Sequence, residues 1–289
     1  MKLLKQRFIS KTIGNLWLIL PNFLRIRLPL ETKAWGLFKS GKTIKTFRWH
    51  LHPWELIGRK YFSVSFSKYE PDTQELLKFI LKNSDSGVVF LNVGANVGIW
   101  ALLVSKWCPT SRIILVEPLP RNIELARLNI LSNKVRNIEL LPIAASERNK
   151  ELIIFENRDL LGLSSVSLPT PYPVHVSARR LDEVVKVDVN IILIDVEGYE
   201  LECLLGLRRI LERNKPFVIV ESSESNLGNV AKFMEELGYK VPYPIGKNSF
   251  HAQSENFLFQ HLENPTINLT PNSKSAIRKK FKWSVPNGI

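Results

Sequence analysis

The chain has 289 residues, of which 45% are apolar and 23% are charged, as is typical of a folded globular protein. This composition excludes a disordered, a collagen-like and a coiled-coil chain. Its two cysteines are too few for a disulfide framework, and Cys203 lies in an apolar helical pattern where we expect an inert buried thiol. A reducing, cytoplasmic setting is therefore expected.

The net charge of +13 is concentrated at the two ends of the chain. Residues 1–60 carry 13 basic and 2 acidic side chains, and residues 264–289 carry five basic and no acidic ones. The stretch between, residues 61–263, has 22 basic and 25 acidic side chains. We therefore expect the ends, rather than the body, to meet a polyanion or an anionic membrane.

Residues 1–30 have the charge order of a secretion signal but lack a small-residue cleavage site after their apolar stretch. They also lack the run of about 20 apolar residues that a membrane-spanning helix needs. Apolar residues at helical spacing beside Lys and Arg predict an amphipathic segment. It either lies on the cytoplasmic face of a membrane or packs on the body as an ordinary helix.

The pattern along the chain predicts a basic, aromatic-rich extension over 1–66, one domain over 67–263 and a basic flexible tail over 264–289. Within the domain, short apolar strands alternate with helices, which indicates a parallel sheet covered on both faces. Asp72 and Glu75 form an acidic capping box at the first helix. Strands are predicted over 88–93, 113–117, 138–144, 150–156, 174–178, 190–195, 217–221 and 257–259, with helices over 99–107, 120–131 and 199–211.

Polar residues end the predicted strands, where open α/β sheets bind their ligands. After the first strand, Gly94 allows a tight turn and Gly98 allows close approach of the next helix. Asn96 stands where the dinucleotide fingerprint has its second glycine, so a cofactor without a pyrophosphate is favoured. Glu117 follows about 20 residues later, the separation at which an acid reaches ribose hydroxyls. Turn and acid together indicate S-adenosylmethionine, and the alternatives are a structural turn and an exposed acid that caps the next helix.

Three carboxylates follow the later strands. Asp195 and Glu197 flank the end of one strand, and Glu221 ends the next. Crowded acids in a partly dry cleft disfavour each other's ionisation, which can tune a general base for a hydroxyl. Their oxygens would equally suit a divalent cation such as Mg²⁺, and Asp195 and Glu197 could instead brace the turn at Gly198. His175 is either a further candidate base or a structural histidine.

Six spaced motifs lie between about Tyr69 and Phe259. The longest, residues 194–200, reads Ile-Asp-Val-Glu-Gly-Tyr-Glu. The others are Val93-Gly94-Ala95-Asn96-Val97-Gly98, Glu117-Pro118 with Asn122, Ala144-Ala145-Ser146, Ser164-Ser165 and Leu181-Asp182-Glu183. In these motifs the chain resembles the FkbM-type methyltransferases, which depend on S-adenosylmethionine and usually methylate hydroxyl groups.

The resemblance implies an α/β, Rossmann-like class I methyltransferase fold, a mostly parallel seven-stranded sheet with one antiparallel strand and helices on both faces. It implies a substrate-side role for Ser164 and Ser165, although a plain turn is equally open. The family usually has Asp at the position of Asn92, where the amide keeps an acceptor oxygen but loses a charge, so weaker cofactor binding is expected. The cofactor-binding set that it implies is Asn92, Gly94, Ala95, Asn96, Gly98, Glu117, Pro118, Asn122, Ala144 and Ala145.

These observations predict O-methylation of a sugar, glycolipid or polyketide-like hydroxyl. Nucleic-acid methylation is an alternative with the same cofactor, favoured by the aromatic residues interleaved with basic ones in the extension. The Asp-Val-Glu-Gly sequence, with no stacking motif after it, argues against that alternative. A non-catalytic binding protein that keeps the fold is the alternative of a different class, and Asn92 is its best support.

Overall fold

A computed structural model of the chain describes residues 32–40, 43–51, 70–156, 164–166, 169–247, 254–269 and 281–284. The predicted amphipathic segment, residues 1–30, lies outside the described residues. Within the described part, none of the helices combines the length and the apolar character needed to cross a membrane.

A seven-stranded sheet forms the centre of the body. Its strands, in spatial order, are β11 (Tyr243–Lys247), β12 (Ser254–Phe259), β10 (Phe217–Ser223), β9 (Ile191–Ile194), β3 (Val89–Val93), β4 (Arg112–Val116) and β5 (Ile138–Leu141). Strand β12 runs antiparallel to both of its neighbours, whereas the pairs from β10 to β5 are parallel. The mostly parallel sheet with one antiparallel strand is therefore confirmed. The strand order reverses between β3 and β9, where such sheets bind ligands.

Helices cover both faces of this sheet. They are α1 (Pro71–Asn83), α2 (Ile99–Trp107), α3 (Pro120–Ser132), α4 (Leu181–Val184), α5 (Glu200–Leu205), α6 (Arg208–Asn214) and α7 (Glu224–Glu236). On one face Leu76 of α1 and Leu102 of α2 are buried in one apolar cluster, and on the other Leu204 of α5 and Met234 of α7 are buried in a second. Each such side chain stabilises the fold by about 1.5–3 kcal/mol.

A three-stranded sheet lies beside the main one. Strand β8 (Pro173–Arg179) pairs in parallel with β6 (Ala144–Ala145) and antiparallel with β7 (Lys150–Phe155). The single strand predicted over 138–144 was wrong, because the chain leaves the main sheet after β5 and Ala144 pairs with Ala178 of β8. Pro142 stands at the break, where proline cannot donate a backbone hydrogen bond to a sheet.

The helix predicted over 199–211 is divided into α5 and α6 at Gly206. A β-carbon on Gly206 would lie 2.1 Å from the carbonyl oxygen of Ser146, so glycine lets the small sheet approach the helix pair. The carboxylate of Asp182 accepts the backbone N–H groups of Arg209 and Ile210 at 3.1 and 3.0 Å and so caps the start of α6. The Leu-Asp-Glu motif is thus explained by helix capping.

The acidic capping box predicted at Asp72 was wrong. Helix α1 already begins at Pro71, and its N-cap residue, Glu70, makes no side-chain capping bond. Proline is favoured in the first helical turn because its missing N–H would have no partner there.

Strand pairs also lie outside the predicted domain. Strand β1 (Thr32–Ser40) pairs antiparallel with β2 (Thr43–Leu51), in an extension whose sequence shows no clear period. Within the predicted flexible tail, β13 (Thr266–Leu269) pairs antiparallel with β14 (Phe281–Ser284). Apolar and polar residues alternate in both short strands, the period of a paired strand, so the tail is not without structure over these residues.

Candidate functional site

The loop after β3 rests on the end of β4 and against the end of β9. The N–H groups of Gly94 and Ala95 both donate to the carbonyl of Val116, at 2.9 and 3.0 Å. Gly94 has φ +75°, and a β-carbon there would lie 1.7 Å from the carbonyl oxygen of Asp195. Glycine is therefore required both for the turn and for the close approach. At Gly98, with φ +85°, a β-carbon would make only ordinary contacts, so its backbone conformation, rather than the predicted close helix approach, explains the glycine.

Glu117 lies under this loop with only 4% of its surface exposed. Its carboxylate accepts the backbone N–H groups of Asn96 and Leu119 at 2.7 and 3.0 Å, and the side-chain amide of Asn122 at 3.1 Å. Burial raises the pKa of Glu117, and these three hydrogen bonds oppose the rise. Glu117 is thus not the exposed cap that one alternative required. Because each carboxylate oxygen can accept two bonds, Oε2 keeps capacity for a ligand hydroxyl.

Three asparagines around the loop have buried polar atoms with no hydrogen-bond partner in the described part of the chain. They are Oδ1 and Nδ2 of Asn92, Oδ1 of Asn96 and Oδ1 of Asn122. Asn92 is completely buried, in a strand that has β4 on one side and β9 on the other. A buried polar group left unpaired costs about 1–3 kcal/mol, and a bound ligand with polar groups would remove that cost. These atoms mark the loop as a ligand-binding site.

Carboxylates lie on one face of the sheet next to this loop. Asn92 pairs with Leu193, which pairs with Ile219. Because side chains alternate between faces along a strand, Asp195 and Glu221, each two residues further on, share the face of Asn92. The main chain of Asp195 continues the β9 register, since its N–H donates to the carbonyl of Val93 at 3.0 Å. The strand register therefore places Asp195 and Glu221 on the same face of the sheet, as their predicted convergence requires.

Glu70 is a fourth carboxylate, and nothing in its local sequence pattern indicates it. It precedes α1 with φ +37° and is 5% exposed. Its Oε2 accepts the side-chain amide of Asn256 in β12 at 2.8 Å. This contact joins residues 186 positions apart, which only the folded chain brings together.

Glu200, the first residue of α5, is a fifth carboxylate of this region. Its carboxylate accepts the N–H of Gly198 at 2.7 Å and the side-chain amide of Asn226 at 3.2 Å. Glu200 thus braces the turn at Gly198, a role that the sequence had offered to Asp195 and Glu197. Its position in the first helical turn is the signal that could have indicated this, because acids there accept backbone N–H groups.

We call Glu70, Asp195, Glu197, Glu200 and Glu221 the acidic cluster. Burial raises the pKa of Asp195 well above its ordinary value, and the other four carboxylates raise it further, Glu221 most. Burial, followed by the charges of Glu221 and Glu200, raises the pKa of Glu197 to about 8. The cluster therefore retains protons near neutral pH, and Glu197 can both release and accept one there.

The free energy of unfolding is expected to fall as the pH rises from 5 to 8. Unfolded Glu titrates near 4.5 and native Glu197 near 8, so between these values the native chain binds the extra proton and raising the pH favours unfolding. This loss begins above pH 4.5 and is complete above pH 8. Glu197→Gln should flatten the slope in urea titrations, whereas Glu151→Gln, an exposed acid of β7, should not. Equal slopes in wild type and Glu197→Gln would contradict the assignment.

The predicted substrate-side segment reaches the turn that holds Glu197. The hydroxyl of Ser165 donates to the backbone carbonyl of Glu197 at 3.1 Å, and Ser165 is 5% exposed. Ser165 also forms an isolated antiparallel bridge with Phe155 at the end of β7. Ser164, which precedes it, is partly buried. The contact fixes the segment beside the acidic cluster.

The remaining residues named from the sequence make no hydrogen bond to the loop or to the acidic cluster among the described residues. Ala144 and Ala145 are buried in β6, and Pro118 is partly exposed between β4 and α3. His175 is exposed on β8, with no bond to the acidic cluster among the described residues. Cys203 is buried and burial raises its pKa, which confirms the expected inert thiol.

In the part of the chain that the structure describes, no three His, Cys, Asp or Glu side chains are grouped so that they could hold a metal ion. The divalent cation that the sequence left open at Asp195, Glu197 and Glu221 is therefore not supported. Mg²⁺ and Ca²⁺ need several oxygens at about 2.0–2.6 Å from one point, and the acids do not supply such a set.

A shallow cavity of about 250 Å³ lies at the amino-terminal ends of the strands, opposite the β3 loop. It is lined by Gly87 and Val88 before β3, by Asn190 before β9 and by Pro216 before β10. Because open α/β sheets bind ligands beyond the carboxyl ends of their strands, we assign no functional role to this cavity.

The sheet order, the lone antiparallel strand and a ligand loop at the point of reversal define the class I methyltransferase fold. The family model "Methyltransferase FkbM domain" matches residues 92–241, about half of the chain. The chain belongs to the FkbM methyltransferase family. No curated protein matches it.

Solved structures with similar folds include an FkbM methyltransferase from Methylobacillus flagellatus KT, at 17% identity and a TM-score of 0.49. The similarity covers 70% of this chain but only 52% of that protein, so the chain spans about half of its length. Others are a SAM-dependent methyltransferase from Aquifex aeolicus (13% identity, TM-score 0.42, 68% and 93% covered) and an rRNA methylase from Streptococcus thermophilus (12%, 0.43, 64% and 92%). At these identities the similarity concerns the fold alone.

Proposed function

We propose that this protein transfers a methyl group from S-adenosylmethionine to a hydroxyl of a sugar, glycolipid or polyketide-like acceptor. The observation that carries the proposal is that buried Asn92, whose amide has no partner among the described residues, shares the sheet face that carries Asp195 and Glu221. A ligand would supply the polar partners that Asn92 lacks there. The carboxylates on that face can take up a proton.

The residues of the loop fit the proposed cofactor. Glu117 would accept a bond from a ribose hydroxyl at the remaining acceptor position of Oε2, and Asn92 and Asn122 would receive partners for their unpaired amide atoms. The backbone at Gly94 leaves no room for a side chain. When bound, S-adenosylmethionine supplies an electrophilic methyl group on a sulfonium.

The acidic cluster would hold and deprotonate the acceptor. An ionised carboxylate of Glu197 or Asp195 accepts the proton of a hydroxyl placed against it, and a base whose pKa lies near the working pH is the most effective. Because the pKa of Glu197 is about 8, the ionised fraction and hence the rate should rise between pH 6 and pH 8. Ser165 supports this step by fixing the carbonyl of Glu197. Positioning of this kind supplies much of the rate in transfer reactions.

The charge of the cluster favours an uncharged acceptor. Those of the five acids that are ionised would repel a phosphate backbone, since like charges brought together cost affinity, and the protonated ones offer it no positive partner. This argues against the nucleic-acid alternative.

For residues 1–30 we propose an anionic membrane surface as partner, because the chain's positive charge is concentrated near that end.

Mass spectrometry of glycans and lipids from cells with and without the gene tests the acceptor class. Products from cells with the gene should be heavier by the mass of one CH₂ group per methyl added. Cells that carry Asp195→Asn in place of the wild type should resemble cells without the gene. A mass difference confined to nucleic acids would overturn the proposed acceptor.

A further inference from the structure

Glu70 and Asn256 lie outside the segment that the family model matches, residues 92–241. Asn256 pairs with Glu221 across β10 and β12, and its amide donates to Glu70 at 2.8 Å. The hydrogen bond from Asn256, a residue of the antiparallel strand β12, thus holds the buried carboxylate of Glu70 next to Glu221.

An independent observation points to a ligand at the same place. Asn92 is completely buried, and neither atom of its amide has a partner among the described residues. The strand register places it on the face that carries Asp195 and Glu221. Helix α1, which follows Glu70, packs on that face, where Leu76 belongs to the same apolar cluster as Phe90. A buried amide in this position needs a polar partner, and none of the described residues supplies one.

We propose that Glu70 is a positioning residue of the acceptor site: Asn256 holds its carboxyl beside Glu221, from where its charge acts on Asp195. The inference rests on the proposed function, in which Asp195 or Glu197 removes the acceptor's proton. Glu70 holds a left-handed backbone, φ +37°, which is costly for a residue with a side chain and persists only where surrounding contacts enforce it. The bond from Asn256 is one such contact.

The acids that act on Asp195 come from four places in the fold. Glu221 belongs to β10, Glu70 precedes α1, Glu200 begins α5, and Glu197 lies in the turn after β9. All of them disfavour the ionised form of Asp195, so loss of any one charge should lower its pKa.

Glu70→Gln tests the inference, because the amide keeps an oxygen that can accept the bond from Asn256. The acidic limb of the pH profile of kcat/KM should move to lower pH by about one unit. Glu70→Asp, which restores the charge, should return the limb towards the wild-type position. The matched control is Glu75→Gln, a partly exposed acid of the same helix paired with Lys78, and it should leave the limb in place. An unmoved limb in folded Glu70→Gln would overturn the inference.

A second readout does not depend on methyl transfer. In ligand-free protein, Glu70→Gln should reduce the dependence of unfolding free energy on pH between 5 and 8, and this reduction should vanish when Asp195 is replaced by Asn. An identical effect in both backgrounds would show that Glu70 does not act through Asp195. If the wild type transfers no methyl group to any acceptor, the proposed function fails, and this cycle still decides the role of Glu70.

Asn256→Ala replaces Glu70→Gln if that variant does not fold. Loss of the hydrogen bond that Asn256 donates makes ionisation of Glu70 less favourable, so its charge acts less on Asp195 and the limb should again move to lower pH. A shift to higher pH, or none, would contradict the proposed electrostatic role.

Discussion

Asp195→Asn is expected to slow methyl transfer by a factor of about 100 to 10,000 while leaving affinity for S-adenosylhomocysteine unchanged. The amide keeps the shape of the side chain and resembles its protonated form, so the fold should be retained. Cofactor binding is assigned to the β3 loop and Glu117, which accepts a bond from Asn122 of α3, and the loop approaches the main chain of Asp195, which this substitution leaves unchanged. Loss of a proton acceptor should therefore appear in turnover and not in cofactor binding.

Three variants measured together decide whether Asp195 acts in turnover rather than in cofactor binding or folding. Glu197→Gln should show a loss of similar size, since Glu197 is the other candidate proton acceptor and its pKa of about 8 suits that role. Glu212→Gln, which removes an exposed acid of α6 paired with Arg208, should transfer at the wild-type rate. Melting temperature, S-adenosylhomocysteine affinity and initial rate are determined for each variant. Unimpaired transfer in both Asp195→Asn and Glu197→Gln would remove them from the reaction and leave Glu221 as the candidate base.

Gly94→Ala is expected to destabilise the protein by more than about 4 kcal/mol, among the largest effects of single substitutions. A β-carbon 1.7 Å from the carbonyl oxygen of Asp195 forces one of two backbone segments to move, in addition to the strain at φ +75°. Any protein that still folds should also have lost S-adenosylhomocysteine binding, because the loop itself is displaced. The measurement is urea unfolding with and without the ligand.

Gly87→Ala is the matched control for this substitution. Gly87 has a similar backbone, φ +88°, but nothing lies within 4 Å of a β-carbon placed there. It should cost only about 1–2 kcal/mol, the penalty of a left-handed conformation. Equal destabilisation by the two substitutions would show that the contact with Asp195 does not constrain the loop.

The sequence predicts the central strands well because their apolar runs are continuous. Val89–Val93, Arg112–Val116 and Ile191–Ile194 are buried at every position except the first of the first two strands, so almost every position favours apolar residues. The polar residues that end these strands follow from topology, since parallel strands meet at one edge. Asp195, Glu197 and Glu221 were predictable for this reason.

Elements whose shape depends on distant contacts were not predictable. The break at Gly206 follows from its approach to Ser146, and the end of β5 depends on Ala144 pairing with a different sheet. Strand β11 contains Pro244 and a shift in register before Gly246, which hide its period. At Gly206 and at the end of β5, the apolar pattern continues across the break and is a stronger signal than the residues that mark the break.

Glu70 and Glu200 are the two members of the acidic cluster that the sequence did not predict. Neither directly follows a strand, the position at which the sequence indicates ligand-binding residues. Glu70 is placed by Asn256, 186 residues away, and Glu200 by the turn that it braces. Burial, which gives these acids their influence on Asp195, is a property of the whole fold.

Calorimetric titration with S-adenosylhomocysteine tests the central claim most directly. The wild-type chain should bind one molecule and melt at a higher temperature in its presence, because a ligand that binds only the folded state stabilises it. Glu117→Ala, checked for folding by circular dichroism, should lose both effects, since the acceptor for the ribose hydroxyls is gone. Absence of binding by the folded wild-type protein at millimolar ligand would contradict the account.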